Sequence, residues 1–210
     1  MREYHKINSI FKRDEKTKKF LDQYSCPEFE YLANNEWEFT EKVDGTNVRI
    51  HWDGANVKFG GRTDNAQMPV SLMEHLNGHF TPQRLSDVFS DITPDTNPVT
   101  LYGEGYGAKI QKGGGDYRPD QGFILFDILV GKWWLKREDI EFMAGHLGVP
   151  ITPIIGRGTL ADAIDLCEKG FQSRLRDSEP EGLVIRPSVE LKARSGNRII
   201  TKLKLRDFKP

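Results

Sequence analysis

Alternating apolar and polar positions predict strands along most of the chain. In TNVRIHW, Val48, Ile50 and Trp52 fall on one face and Asn47, Arg49 and His51 on the other. The preceding WEFTEKV runs into Asp44-Gly45, and Asp53-Gly54 supplies a hairpin turn before the return strand NVKFG. VTLYGEGYG and GFILFDILVG are two further strands, the second apolar enough to be buried on both faces. EGLVIRP and RIITKLKL are the last strands. Helical spacing is confined to shorter stretches. VSLMEHLNGHF is amphipathic. LKREDIEFMAGHLG sets Ile140, Met143 and Leu147 on one side with Gly148 as C-cap, and Trp133-Trp134 is expected to start that helix. Thr159 and Asp162 form a capping box for a helix that ends at Gly170. Breaker-rich TPDTNP (residues 93–98) and KGGGDYRPDQG (residues 112–122) read as loops, the second as a mobile one. Strand runs interrupted by isolated helices predict an α+β fold with antiparallel sheets, organised as a single domain over residues 1–210.

Composition agrees with a folded, soluble chain: 210 residues, 37% apolar, 10% aromatic and 29% charged. No apolar run is long enough for a membrane helix, and the N-terminal residues lack the apolar core of a secretory signal. Cys26 and Cys167 form neither a disulfide framework nor a zinc motif, which points to a reducing, cytoplasmic setting. The five histidines show no metal-ligand spacing.

Net charge is -1, which excludes a globally basic nucleic-acid binder. The basic residues are nevertheless concentrated at the two ends. Arg186, Lys192, Arg194, Arg198, Lys202, Lys204, Arg206 and Lys209 face only Glu190 and Asp207. Among the first twenty residues, Arg2, Lys6, Lys12, Arg13, Lys16, Lys18 and Lys19 face Glu3, Asp14 and Glu15. A solvated surface fits this distribution; so does a phosphate-binding face, if the ends meet.

The first chemical signal is Glu41-Lys42-Val43-Asp44-Gly45-Thr46-Asn47, a lysine at a strand end before a tight turn. A lysine attacks phosphorus only as the free amine, which burial or neighbouring cations favour. Taken alone, the string also reads as a hairpin with an exposed lysine. Five more elements follow in order. They are Gly60-Gly61-Arg62-Thr63, Leu101-Tyr102-Gly103-Glu104-Gly105, Phe126-Asp127 inside an apolar strand, Glu181-Gly182-Leu183-Val184-Ile185-Arg186, and Thr201-Lys202-Leu203-Lys204-Leu205.

This ordered set resembles motifs I, Ia, III, IIIa, IV and V of the covalent nucleotidyltransferase superfamily, which contains ATP-dependent RNA and DNA ligases and mRNA capping enzymes. Asn47 stands where DNA ligases and capping enzymes usually carry arginine, and is similar to the RNA ligase 2-like pattern. The sequence runs six residues past Lys204, and no C-terminal OB-fold or helical domain is expected. The resemblance implies an ATP-dependent RNA ligase with a nucleotidyltransferase (adenylation) domain. In that scheme Lys42 forms a lysyl-AMP intermediate, AMP passes to an RNA 5′-phosphate, and a 3′-OH seals the strand. It further implies Lys202 and Lys204 at the α-phosphate, Glu181 as the residue organising Mg²⁺ or Mn²⁺, and Glu104 on the ribose. Phe126 would stack on adenine, Arg62 would contact phosphate, Asn47 would hold phosphate or ribose, Glu41 would read the adenine edge, and Asp127 would steady the site. The alternatives are a DNA ligase or capping-type enzyme, or a module that binds nucleotides or RNA ends without reacting.

Overall fold

The computed structural model describes residues 1–92 and 97–209. Most of the loop expected at residues 93–98 lies outside the described residues. In chain order the strands and helices are β1 (Asn8–Ser9), β2 (Phe11–Arg13), β3 (Phe20–Tyr24), α1 (Pro27–Tyr31), β4 (Trp37–Lys42), β5 (Thr46–Trp52), β6 (Val57–Gly60), α2 (Val70–His79), α3 (Pro82–Val88), β7 (Val99–Gly107), β8 (Gln121–Val130), β9 (Trp133–Trp134), α4 (Arg137–Leu147), β10 (Ile154–Gly158), α5 (Leu160–Lys169), β11 (Gly182–Pro187) and β12 (Thr201–Lys204). They form two compact units. One comprises Met1–Tyr4 and Asp44–Thr152, the other His5–Val43 and Pro153–Pro210.

The first unit is a five-stranded antiparallel sheet in the order β6-β5-β7-β8-β9. Val48, Ile50 and Trp52 are buried, as the alternation predicts, and pack with Leu72, Leu76, Phe80, Leu85, Ile140 and Leu147 from the helices. α3 begins at Thr81, whose hydroxyl accepts the Arg84 N–H, with Pro82 supplying a helix-compatible φ at the first position. The other face of β5 is not a solvent face. Arg49 is fully buried, and its guanidinium donates to the backbone oxygens of Gly61 (2.6 Å) and Met1 (3.1 Å) and pairs with Asp64 (2.8 Å). Trp133-Trp134 does not start α4. It pairs with Val130 and Leu129 as β9, and Gly131, at φ 57°, makes the turn. Trp134 packs against the rings of Tyr4 and Tyr102, whereas Trp133 is exposed.

The second unit is a sheet in the order β1-β12-β11-β4-β10, with the small β2-β3 hairpin beside it. All pairings in the sheet are antiparallel except β1 with β12. Its core joins Phe29, Trp37, Phe39, Leu183, Ile185 and Leu203 to the apolar side of α5, which carries Leu160, Ala163 and Cys167. The capping box is formed as expected. Thr159 Oγ1 accepts the Asp162 N–H at 3.2 Å, and the Asp162 carboxylate accepts the Thr159 N–H at 2.8 Å. No helix among the described residues is long and apolar enough to cross a membrane.

Candidate active site

In the second unit, strand register brings three of the sequence-predicted residues together. Gly182 on β11 lies opposite Lys42 on β4 on one side and opposite Lys204 on β12 on the other. Neighbouring strands lie about 4.8 Å apart, so two lysines on strands flanking a third are about 10 Å apart at the backbone. Glu181, one residue before Gly182, fills that gap. Its Oε2 accepts Lys42 Nζ at 2.6 Å and its Oε1 pairs with Lys204 Nζ at 2.6 Å. The backbone oxygen of Glu181 accepts the Leu205 N–H at 3.1 Å, which fixes the carboxylate's base. Gly182 adopts φ 154°, and a Cβ there would meet the Leu203 oxygen at 2.0 Å, so glycine is needed beside the carboxylate.

Burial would raise the Glu181 pKa, but the charges and hydrogen bonds of Lys42 and Lys204 outweigh it and hold the carboxyl below its ordinary value. Lys202 and Lys204 are both half-buried and alternate with buried Thr201 and Leu203, so they occupy one face of β12. Glu41 does not join this cluster. It is buried, with one oxygen accepting Ser173 Oγ at 2.5 Å and the other accepting the Arg174 N–H at 2.9 Å. It thereby ties down the segment that follows α5.

The remaining predicted residues belong to the first unit. Asn47 on β5 and Glu104 on β7 are direct cross-strand partners. Among the described residues Asn47 Oδ1 is buried without a hydrogen-bond partner, a costly arrangement for an acceptor and one that a ligand's donor would relieve. Gly45 leaves room for this pair: a Cβ there would meet the Gly105 oxygen at 2.2 Å and Glu104 Cγ at 2.7 Å. Phe126 is the extra residue of a bulge in β8, where Tyr102 pairs with Asp127 and Gly103 with Leu125. The bulge leaves Phe126 partly exposed between buried Leu125 and Asp127, with the Tyr4 ring edge-on at 5.1 Å. Asp127 is fully buried and accepts the Tyr4 hydroxyl. Arg62 is exposed on the segment after β6, between Gly61 and Asp64, the two residues that Arg49 grips.

Several contributors went unread in the sequence. Tyr117, in the glycine-rich segment of residues 112–122 expected to be mobile, and Gln111 just before that segment bind the turn after Lys42. The Tyr117 hydroxyl accepts the Asp44 N–H at 3.1 Å, and Gln111 Nε2 donates to the Gly45 oxygen at 3.1 Å. Gly114 is buried against Gly107, while Lys112, Gly113, Gly115 and Asp116 are exposed. Arg49, Tyr4 and Ser173 were likewise missed. None of them stands in a motif, and alternation cannot distinguish a polar face that meets water from one that meets backbone carbonyls.

The chemistry of this donor set bears on metal binding. Among the described residues no group of three or more His, Cys, Asp or Glu side chains could hold a metal ion. One carboxylate between two lysines does fit a hard divalent ion that takes most of its ligands from phosphate and water.

A family model described as RNA ligase matches residues 35–204. No curated protein matches the chain. Solved structures of a Naegleria gruberi RNA ligase are similar in fold. A mutant with AMP and Mn is 18% identical with a TM-score of 0.64, over 85% of this chain and 52% of that one. A second mutant, with ATP and Mn, is 18% identical with a TM-score of 0.67, over 95% and 60%. A third, also with ATP and Mn, is 20% identical with a TM-score of 0.66, over 96% and 59%. The chain thus spans between half and three-fifths of the length of these structures. The likeness bears out the expected α+β fold with antiparallel sheets, that of a ligase nucleotidyltransferase domain.

Proposed function

Because the chain belongs to the RNA ligase family, we propose that it is an ATP-dependent RNA ligase working through a lysyl-AMP intermediate on Lys42. The observation that carries this reading is the Glu181 carboxylate held at 2.6 Å from both Lys42 and Lys204. In the first step Lys42 Nζ attacks the α-phosphorus of ATP. A P–N bond forms, the bond to the bridging oxygen of pyrophosphate breaks, and the amine gives up a proton. In the second step an oxygen of an RNA 5′-phosphate attacks the same phosphorus, the P–N bond breaks and the lysine recovers a proton. In the third step a 3′-hydroxyl attacks the activated 5′-phosphorus and gives up its proton to solvent, a P–O bond forms, and the bond from that phosphorus to the bridging oxygen breaks so that AMP leaves.

This chain's residues serve these steps by charge and placement, which dominate phosphoryl transfer. The Lys42–Glu181 ion pair has to open before attack, because only the free amine is nucleophilic. Lys204 and Lys202, on one strand face, would offset the charge that builds on the α-phosphate. Glu181 would hold a divalent ion, Mg²⁺ or Mn²⁺, that arrives with the nucleotide; when bound, such an ion would neutralise phosphate charge. In the first unit, Asn47 and Glu104 would meet nucleotide hydroxyls or phosphate, Phe126 would stack on the base, and Arg62 would take a phosphate.

The test is incubation with α-labelled ATP and a divalent ion, followed by denaturing electrophoresis. Label should stay on the wild-type protein and be absent from Lys42→Ala. Equal labelling of the two would reject Lys42 as nucleophile. Preference for labelled GTP, or sealing of DNA nicks in place of RNA nicks, would reassign the substrate. Tight ATP binding without covalent label would leave a binding module.

A further inference from the structure

The two basic ends of the chain meet in the second unit. β1 runs parallel to β12, pairing Asn8 with Thr201 and Ser9 with Lys202, and the Ile10 N–H continues the ladder to the Lys202 oxygen at 3.3 Å. Parallel strands advance in the same direction, so the β2-β3 hairpin follows β1 toward the end of the sheet where Lys204 stands. Contacts beyond Lys204 anchor it there. Arg13 pairs with Asp207 at 2.5 Å, and the Phe20 ring lies 5.7 Å from that of Phe208. The Arg13 guanidinium also covers the Phe20 ring at 4.3 Å.

The tip of this hairpin is built rather than loose. The Asp14 carboxylate accepts the N–H groups of Lys16 (3.0 Å) and Thr17 (2.7 Å) and the Thr17 hydroxyl (3.0 Å). The Asp14 backbone bonds Lys18 and Lys19 across the turn, and Lys18 takes φ 60° to close it. Asp14 is therefore occupied by the turn and Arg13 by Asp207. What the tip shows to solvent is Lys12, Lys16, Lys18 and Lys19 against Glu15 and Thr17. A protein partner would need an apolar anchor among these charges; the turn exposes none, and on β3 the exposed Leu21 is a single apolar side chain next to exposed Asp22. A row of lysine ammonium groups with no stacking ring suits sequence-independent contact with a phosphodiester backbone.

We propose that the hairpin of residues 11–24 is a docking surface for the RNA phosphodiester backbone, flanking the sheet end that carries Lys42, Glu181 and Lys204. The proposal rests on the RNA ligase reading and adds where the strand is held. It makes contact independent of base sequence and strongly weakened by salt.

The experiment compares wild type with a variant carrying Lys12→Gln, Lys16→Gln, Lys18→Asn and Lys19→Gln. Lysyl-AMP formation from ATP is measured alongside the affinity for a labelled nicked RNA duplex across a range of salt. The variant should form lysyl-AMP as wild type does, yet bind RNA about tenfold or more weakly at ~0.1 M salt, with a shallower dependence of affinity on salt. Normal lysyl-AMP formation with unchanged RNA affinity and salt slope would overturn the docking surface and leave the ligase reading intact. Absence of lysyl-AMP in the wild type would overturn the ligase reading and this proposal with it. Binding of poly-glutamate as tight as RNA and lost in the same variant would assign the hairpin to an acidic protein partner and overturn the proposal.

Discussion

The backbone N–H of Asp44 is held by the hydroxyl of Tyr117, 73 residues away in sequence, at 3.1 Å. Asp44 begins the turn two residues after Lys42, so Tyr117 sets where the chain leaves the proposed nucleophile. Tyr117→Phe removes one hydrogen bond, a net of about 1 kcal/mol. We expect lysyl-AMP formation to slow about fivefold through kcat, with the KM for ATP little changed. A change in KM alone would mean that Tyr117 serves nucleotide binding instead of the geometry of the turn.

Glu181 links acidity to stability. Its folded-state pKa is lowered: burial opposes the charged form, and the two lysines more than compensate. A depressed carboxylate contributes stability above its unfolded pKa and loses it as pH falls through the folded value. Thermal unfolding of wild type and Glu181→Gln should therefore differ most near neutrality. The gap should close below the ordinary glutamate value of 4.5. A gap that is constant from pH 7 to pH 3 would contradict the ion-paired geometry.

Arg49 serves the first unit as a buried strut. Replacing it with methionine keeps bulk but leaves the Gly61 and Met1 oxygens without their donor. We expect a loss of about 2–4 kcal/mol in urea unfolding. A loss under about 0.5 kcal/mol would show that these carbonyls find other partners.

Strong local signals in the sequence translated directly into structure. The apolar run of β8, the Thr159–Asp162 capping box and Gly148 at φ 64° each depend on neighbours within a few residues. So does the alternation of Lys202 and Lys204. The way Lys42, Glu181 and Lys204 converge was legible only through the ordered motifs, because the register that aligns them joins strands 139 and 162 residues from Lys42. Trp133-Trp134 reads as the start of a helix by continuity with α4, but the turn at Gly131 folds it back on β8 as an edge strand. The parallel β1 pairing and the Tyr117–Asp44 bond had no local signal at all. Both depend on where distant segments happen to pack.

The second unit draws on residues 5–43 and again on residues 153–210, with the first unit's residues 44–152 lying between in sequence. Its sheet therefore cannot be completed as β4 is made; β11 and β12 come more than a hundred residues later. Closing so long a span has a substantial entropic cost before any contact is gained, which makes this half slow to assemble. On a ribosome, residues 44–152 have the chance to fold first, while β4 waits with both edges unpaired, because its partners β10 and β11 are made later. The carboxylate partner of the proposed nucleophile is thus among the last features to form, and a chain caught midway holds Lys42 without Glu181 and Lys204 beside it.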